Sequence, residues 1–186
     1  MNVLFGILII CGLALVVGIF LYNSLVAKRN RVANSWAQID VQLKRRHDLI
    51  PNLVNAVKGY MAHEHEVFTQ VTTARAKAQT AGGDLPARAE AEGVLSQSLR
   101  GLFALAEAYP ELKADGNMLA LQEELTSTEN RIAFARQAYN DNVMTFNTAC
   151  QSFPNNLLAT AFHFSQATFF EEVEAAEKLS PQVQFN

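Results

Sequence analysis

Met118–Cys150 reads MLALQEELTSTENRIAFARQAYNDNVMTFNTAC, a stretch with neither proline nor glycine. Within it Met118, Leu121, Leu125, Thr128, Ile132, Ala135, Tyr139, Val143, Phe146 and Cys150 recur mainly three and four residues apart. That is the period of one face of an α-helix, because side chains at those spacings stack above one another. A seam so long and narrow is stable only when other helices cover it, in the manner of a coiled coil. Phe153 and Pro154 close the pattern, and NNLLATAFHF after them reads as one further short helix. No hairpin dipeptide stands between alternating apolar runs, so strand signals are missing.

Working back from the seam, TAGGDLPARAEAEG carries a stop and a start. Gly82 and Gly83 can end one helix, Asp84 can cap the next, and Pro86 suits a first turn. A helix from about Leu85 to Ala108 then buries Leu95, Leu99, Leu102 and Ala106, with Tyr109 and Pro110 marking its end. Upstream, Val32, Trp36, Ile39 and Leu43 share a face, and Pro51 in RRHDLIPNLVNAVKGY predicts a kink or short break near Leu49–Ile50. The apolar face resumes at Leu53, Val54, Val57 and Met61 and continues through Val67, Val71 and Ala74.

Val3–Tyr22 reads VLFGILIICGLALVVGIFLY without a charge. At about 1.5 Å per residue it matches the roughly 30 Å of a bilayer core. A cleaved signal fits poorly, since no Lys or Arg precedes the run and no Ala-x-Ala site follows it. A lipidated Cys11 is disfavoured by the bulk of Ile10 before it. The expected fold is all-α: one N-terminal transmembrane helix continuing into an antiparallel three-to-four-helix bundle with long helices. Lys28, Arg29 and Arg31 follow the span and place the bundle on the cytoplasmic side, with the N-terminus outside. The partition expected is a transmembrane anchor over 1–27, a cytoplasmic helical bundle over 28–160 and an aromatic, acidic tail over 161–186. A single-pass protein of a bacterial inner membrane fits this order.

The chain is 49% hydrophobic with a formal net charge of -3, so nucleic acid is not an expected partner. The basic residues Lys28, Arg29 and Arg31 lie where they can meet anionic lipid headgroups; Lys44, Arg45 and Arg46, farther along, suit acidic groups on a neighbouring chain. HEHE at His63–Glu66 fails the zinc-protease spacing because residue 67 is Val, and residues two apart do not face each other on a helix. His47 shares the seam of Leu43, Ile50 and Val54, so Asp40, His47 and Glu129 form a candidate buried polar network. Cys11 and Cys150 make no disulfide framework. No serine elbow, phosphate loop or Cys-x-x-Cys pair is present, and no cofactor, metal or catalytic residue is expected. Phe162, Phe164, Phe169 and Phe170 precede four glutamates; such a cluster covers either its own bundle or a partner.

Several blocks together resemble the LemA family of bacterial membrane-associated proteins. They are YNSLVAKRNRV (Tyr22–Val32), WAQIDVQLKRRHDLIPNLVNAVKGY (Trp36–Tyr60), HE (His63–Glu64), ENRIAFARQAYNDNVMTFN (Glu129–Asn147), SFPNNLLA (Ser152–Ala159) and FF (Phe169–Phe170). The resemblance implies a transmembrane segment followed by an antiparallel helical domain, and it brings no settled activity, cofactor or catalytic residue. The chain departs from the family at His163, where a small residue, typically Gly, is common. The expected role is that of a non-enzymatic scaffold that self-associates at the membrane as a homo-oligomer, in contact with lipids. The alternative is an adaptor or regulator of a membrane protease, transporter or envelope enzyme.

Overall fold

Between Asn23 and Lys58 the chain has no glycine, and its one proline does not stop the helix. The computed structural model describes residues 2–61, 64–82 and 85–170. Their elements are α1 (Asn2–Lys58), α2 (His65–Thr80), α3 (Leu85–Ala106), a single turn α4 (Pro110–Ala114), α5 (Gly116–Gln151) and α6 (Asn155–Ala161). The protein is all-α, with α1 beginning as an apolar segment long enough to cross a membrane. The described chain divides into two compact units, residues 2–43 with Asn130–Phe169, and Lys44–Glu129 with Phe170.

The second unit packs parts of α1 and α5 with α2 and α3, and the single turn α4 joins α3 to α5. Ile50, Leu53 and Val57 of α1, Phe68 and Val71 of α2, Leu95, Leu99 and Leu102 of α3, and Met118 and Leu125 of α5 share one buried core. The α3 residues are those the helical period selects. Asp115 caps α5: its Oδ1 accepts the N–H of Asn117 at 2.9 Å and of Met118 at 3.0 Å, and its Oδ2 accepts the Tyr60 hydroxyl at 3.1 Å. The bond from Met118, then that from Tyr60, hold the Asp115 carboxyl below its ordinary pKa. Gly83 and Asp84, expected to end one helix and cap the next, lie outside the described residues.

Of the kink or short break expected near Leu49–Ile50, no break forms: α1 continues to Lys58, and the chain turns at Gly59–Met61. Proline removes the N–H that would bond the carbonyl four residues back, which is that of His47. Here Arg75 of α2 donates its Nε–H to the His47 oxygen at 2.7 Å. A side chain from the neighbouring helix thus satisfies the acceptor that Pro51 leaves open, and the helix passes through. The face read as continuous from Met61 to Val67 is interrupted instead. The amides of Tyr60 and Met61 both close onto Val57 oxygen, at 3.1 Å each, before α2 begins.

In the first unit, Leu25 of α1 is buried with Phe146, Ala149 and Cys150 of α5 and Ala159 of α6. Farther along α1, Trp36 meets Tyr139 edge to face at 5.8 Å. Advancing from Leu25 to Trp36 therefore steps back from Cys150 to Tyr139, which makes the two helices antiparallel. Ser35, buried beside Trp36, returns its hydroxyl to the Arg31 and Val32 carbonyls, both at 2.9 Å. Among the described residues, none of the 18-residue apolar window of α1 is buried.

Helix α6 ends in a Schellman turn. The amide of Phe164 bonds Ala159 oxygen at 2.9 Å and that of His163 bonds Thr160 oxygen at 3.4 Å. This places His163 at φ 55°, the left-handed region that glycine occupies without steric cost. Beyond it the chain lies along α5. Asn147 holds Ala167 at both backbone groups (2.8 and 2.9 Å), and the Tyr139 hydroxyl donates to Thr168 oxygen at 2.9 Å.

Two outcomes are expected from chemical denaturation of the detergent-solubilised chain. Arg75→Met destabilises by about 1–3 kcal/mol by leaving the His47 carbonyl unpaired, and the loss shrinks when Pro51→Ala restores the helical N–H. A full loss in the Pro51→Ala background would contradict the rescue. His163→Gly stabilises by about 1 kcal/mol by relieving the left-handed backbone.

Candidate functional site

Arg46 follows Leu43 by three residues and precedes Ile50 by four, so the helical period turns it toward the core of the second unit. It is 1% exposed. Its Nη2 donates to Glu92 Oε2 on α3. Its Nη1 donates to Glu129 Oε2 on α5 at 2.6 Å and to Ser96 Oγ at 2.7 Å. The Ser96 hydroxyl passes its own hydrogen to Glu129 Oε1 at 3.0 Å. His47 Nε2 completes the group, 3.0 Å from Glu92 Oε1 and 3.3 Å from Oε2. At the rim Arg45 reaches Glu124 at 2.5 Å, with both side chains nearly half exposed, and such a pair contributes little.

Burial by itself would raise the Glu92 carboxyl; the hydrogen bond from His47 and the charge of Arg46 outweigh it and hold the pKa below its ordinary value. Arg46 has donors and no acceptor capacity, and its forked donors meet two carboxylates and a hydroxyl. The arrangement fastens α1, α3 and α5 to one another. Most of its polar atoms bond one another, although the buried Arg46 Nε has no partner within the cluster. Among the described residues, no three His, Cys, Asp or Glu side chains gather in a way that could hold a metal ion.

Of the residues read from the sequence, His47 and Glu129 both belong to this cluster, on different partners: His47 on Glu92, Glu129 on Arg46. Asp40 is exposed in the first unit. Arg46, assigned above to a neighbouring chain, is instead neutralised inside its own, because its face points inward. Glu92 and Ser96 were missed. The signal was present in Glu92, three residues from Ala89 and from Leu95 on the apolar face of α3.

In the first unit Lys28 donates to Ser24 Oγ at 3.1 Å, Arg29 lies 5.3 Å from the centre of the Phe164 ring, and Arg31 is exposed. Phe164 is half-buried against the Leu25 cluster and Phe170 is buried, whereas Phe162 and Phe169 are exposed. The glutamates after Phe170 lie outside the described residues, as does His63. His65 and Glu66 are exposed on the first turn of α2, and Glu64 accepts the Tyr109 hydroxyl at 3.2 Å. Cys150 is buried, and burial pushes its thiol pKa up, away from nucleophile chemistry.

Removing one partner of a buried charge pair strands the other. Arg46→Met is therefore expected to cost about 3–5 kcal/mol, with much of the loss recovered in Arg46→Met/Glu92→Leu. Because the folded pKa of Glu92 lies below 4.5, its contribution is complete above that value and is lost as pH falls through the folded pKa. Glu92→Gln should flatten the decline of stability with acid below pH 4.5, read by denaturant midpoints across pH. An unchanged slope would remove Glu92 from the acid response.

Comparison with known proteins places these features in a wider group. Magnetosome protein MamQ 2 of Paramagnetospirillum magneticum is 26% identical over 189 residues, covering 87% of this chain and 70% of that protein. Magnetosome protein MamQ of Magnetospirillum gryphiswaldense is 24% identical with the same coverage. Protein LemA of Metamycoplasma hominis is 27% identical over 167 residues, covering 86% of this chain and 76% of its own. The family model described as the LemA family matches residues 35–185, which takes in the helices that carry the buried charge cluster, and the chain belongs to that family.

Proposed function

We propose that this bacterial membrane protein is a non-enzymatic scaffold, anchored by the apolar start of α1 and assembled through lateral contacts between its helical domains. The partition into an anchor over 1–27, a bundle over 28–160 and a tail over 161–186 is part of this reading. The basic residues after the span support a cytoplasmic position for the bundle, with the residues before the span outside.

The observation that carries the reading is a pair of exposed apolar side chains beyond the span. Phe134 on α5 is 72% exposed and Val41 on α1 is 62% exposed. Val41 lies five residues beyond Trp36 (36 + 5), and Phe134 lies five before Tyr139 (139 − 5), so the antiparallel packing of that ring pair sets them at one level of the first unit. Copies anchored in one bilayer share height and orientation, so equal levels meet, and confinement raises the effective concentration of the contact. The seam of α5 is no longer available for this purpose, since Leu125, Ile132, Val143 and Phe146 are buried within the chain.

Cysteine crosslinking in native membranes tests the proposal. In a chain with Cys11→Ser and Cys150→Ser, Phe134→Cys or Val41→Cys treated with a short bismaleimide should give a covalent dimer of the chain, and Phe134→Glu should shrink the complexes seen on native gels. Adducts dominated by another membrane protein would replace the scaffold reading with the adaptor one. Monomer alone would overturn both.

A further inference from the structure

The exposed apolar surface of the first unit is not confined to the level of Phe134. Phe153 is 80% exposed, Leu157 62% and Phe162 57%, all three on or beside α6. Leu158 and Ala159 of that helix face the Leu25 cluster, while Leu157 stands uncovered on its exposed side, flanked by Phe153 before the helix and Phe162 after it. Its position relative to the span is fixed by rings. Tyr22, the last residue of the charge-free run, packs edge to face against Phe162 at 4.9 Å and Phe164 at 5.7 Å. Two turns farther along α1, Arg29 stands 5.3 Å from the centre of Phe164, with Lys28 beside it in sequence.

We infer that Phe153, Leu157 and Phe162 form a second, non-spanning membrane contact, seated in the headgroup–acyl boundary at the Tyr22 end of α1. The inference rests on the reading of α1 as a membrane anchor. The uncovered side of α6 is continuous, through the Tyr22–Phe162 contact, with a helix segment that presents only apolar side chains outward. A leaflet that surrounds residues up to Tyr22 therefore ends beside Phe162. Tyr22 has the amphipathic ring that favours that boundary, Phe and Leu are side chains an interfacial face buries there, and Lys28 and Arg29 stand at the height of the headgroups. A short apolar face held there lies in the plane of the interface rather than across it.

Depth-dependent quenching tests this in the full chain. Trp36 is the single tryptophan, so Trp36→Phe gives a silent background. Onto it are placed Leu157→Trp, with Phe153→Trp as a second reporter of the same face, Leu13→Trp in the span, and Val41→Trp about 28 Å along α1 from Tyr22. Each is reconstituted into phosphatidylcholine vesicles brominated either near the headgroup or near the acyl end. The expected result is strong quenching of both α6 reporters by the shallow bromines, corresponding to a depth of about 5–10 Å. Leu13→Trp should respond mainly to the deep bromines and Val41→Trp to neither. Quenching of Leu13→Trp with none at 153 or 157 overturns the inference and leaves the anchor standing. A blue-shifted but unquenched 157 reporter means that protein covers this face, and also overturns it. Loss of quenching at Leu13→Trp as well removes the anchor and the inference together.

Discussion

A guanidinium presents five N–H donors in a fixed fork and no acceptor, so turning Arg46 toward a core imposes a requirement on every helix that packs there. The requirement is met at two points, Glu92 on α3 and Glu129 on α5, with Ser96 bridging the second and His47 occupying the free edge of the first. Little of this adds net stability, because desolvating the ions consumes most of what their attraction returns. What it does is penalise every arrangement in which one of the three helices is displaced. His47 belongs to this constraint twice: its ring faces Glu92 and its carbonyl receives Arg75. The neighbourhood of Pro51 is thereby tied to α2 as well as to α3.

The sequence made the periodic parts legible. The α5 seam, the α3 face and the uncharged N-terminal run each follow from spacing alone, because burial along a helix repeats with the turn. A kink or short break was expected near Leu49–Ile50, and no break forms there for a reason equally physical. Proline weakens a helix through one missing donor, and whether that matters depends on what else can reach the orphan carbonyl. Arg75 lies in another helix, beyond any local reading of RRHDLIPNLV. The charge cluster was half legible. His47 and Glu129 are recognisable as polar residues on apolar faces, but the same test applied to Arg46 and Glu92 finds the pair that holds them. Asp40 fails it, being exposed.

The C-terminal part of the first unit shows how a segment without regular structure can be held in place. Residues 164–170 have no helical ladder, so their backbone groups need other partners. The Asn147 side-chain amide matches a peptide unit in donor and acceptor, and it serves Ala167 at both. Tyr139 supplies the next bond, at Thr168. The left-handed His163 that starts this course carries a strain that glycine would lack, yet the turn it makes delivers Phe164 onto Tyr22 and Phe146. Aromatic packing beyond the turn offsets the backbone cost of making it.

A seam as regular as that of α5 creates a problem that apolar packing cannot solve. Met118, Leu125 and Ile132 are seven residues apart, so sliding a partner helix by one such step would match apolar to apolar again. Shape would distinguish the registers only weakly. A charge at one position distinguishes them strongly, since a slip of seven residues sets Gln122 or Arg136 where Glu129 stands opposite Arg46 and leaves Glu129 without its cation. In a chain whose long helices repeat so evenly, the ionic contact between Arg46 and Glu129 is best understood as the device that selects one register from several of similar apolar content.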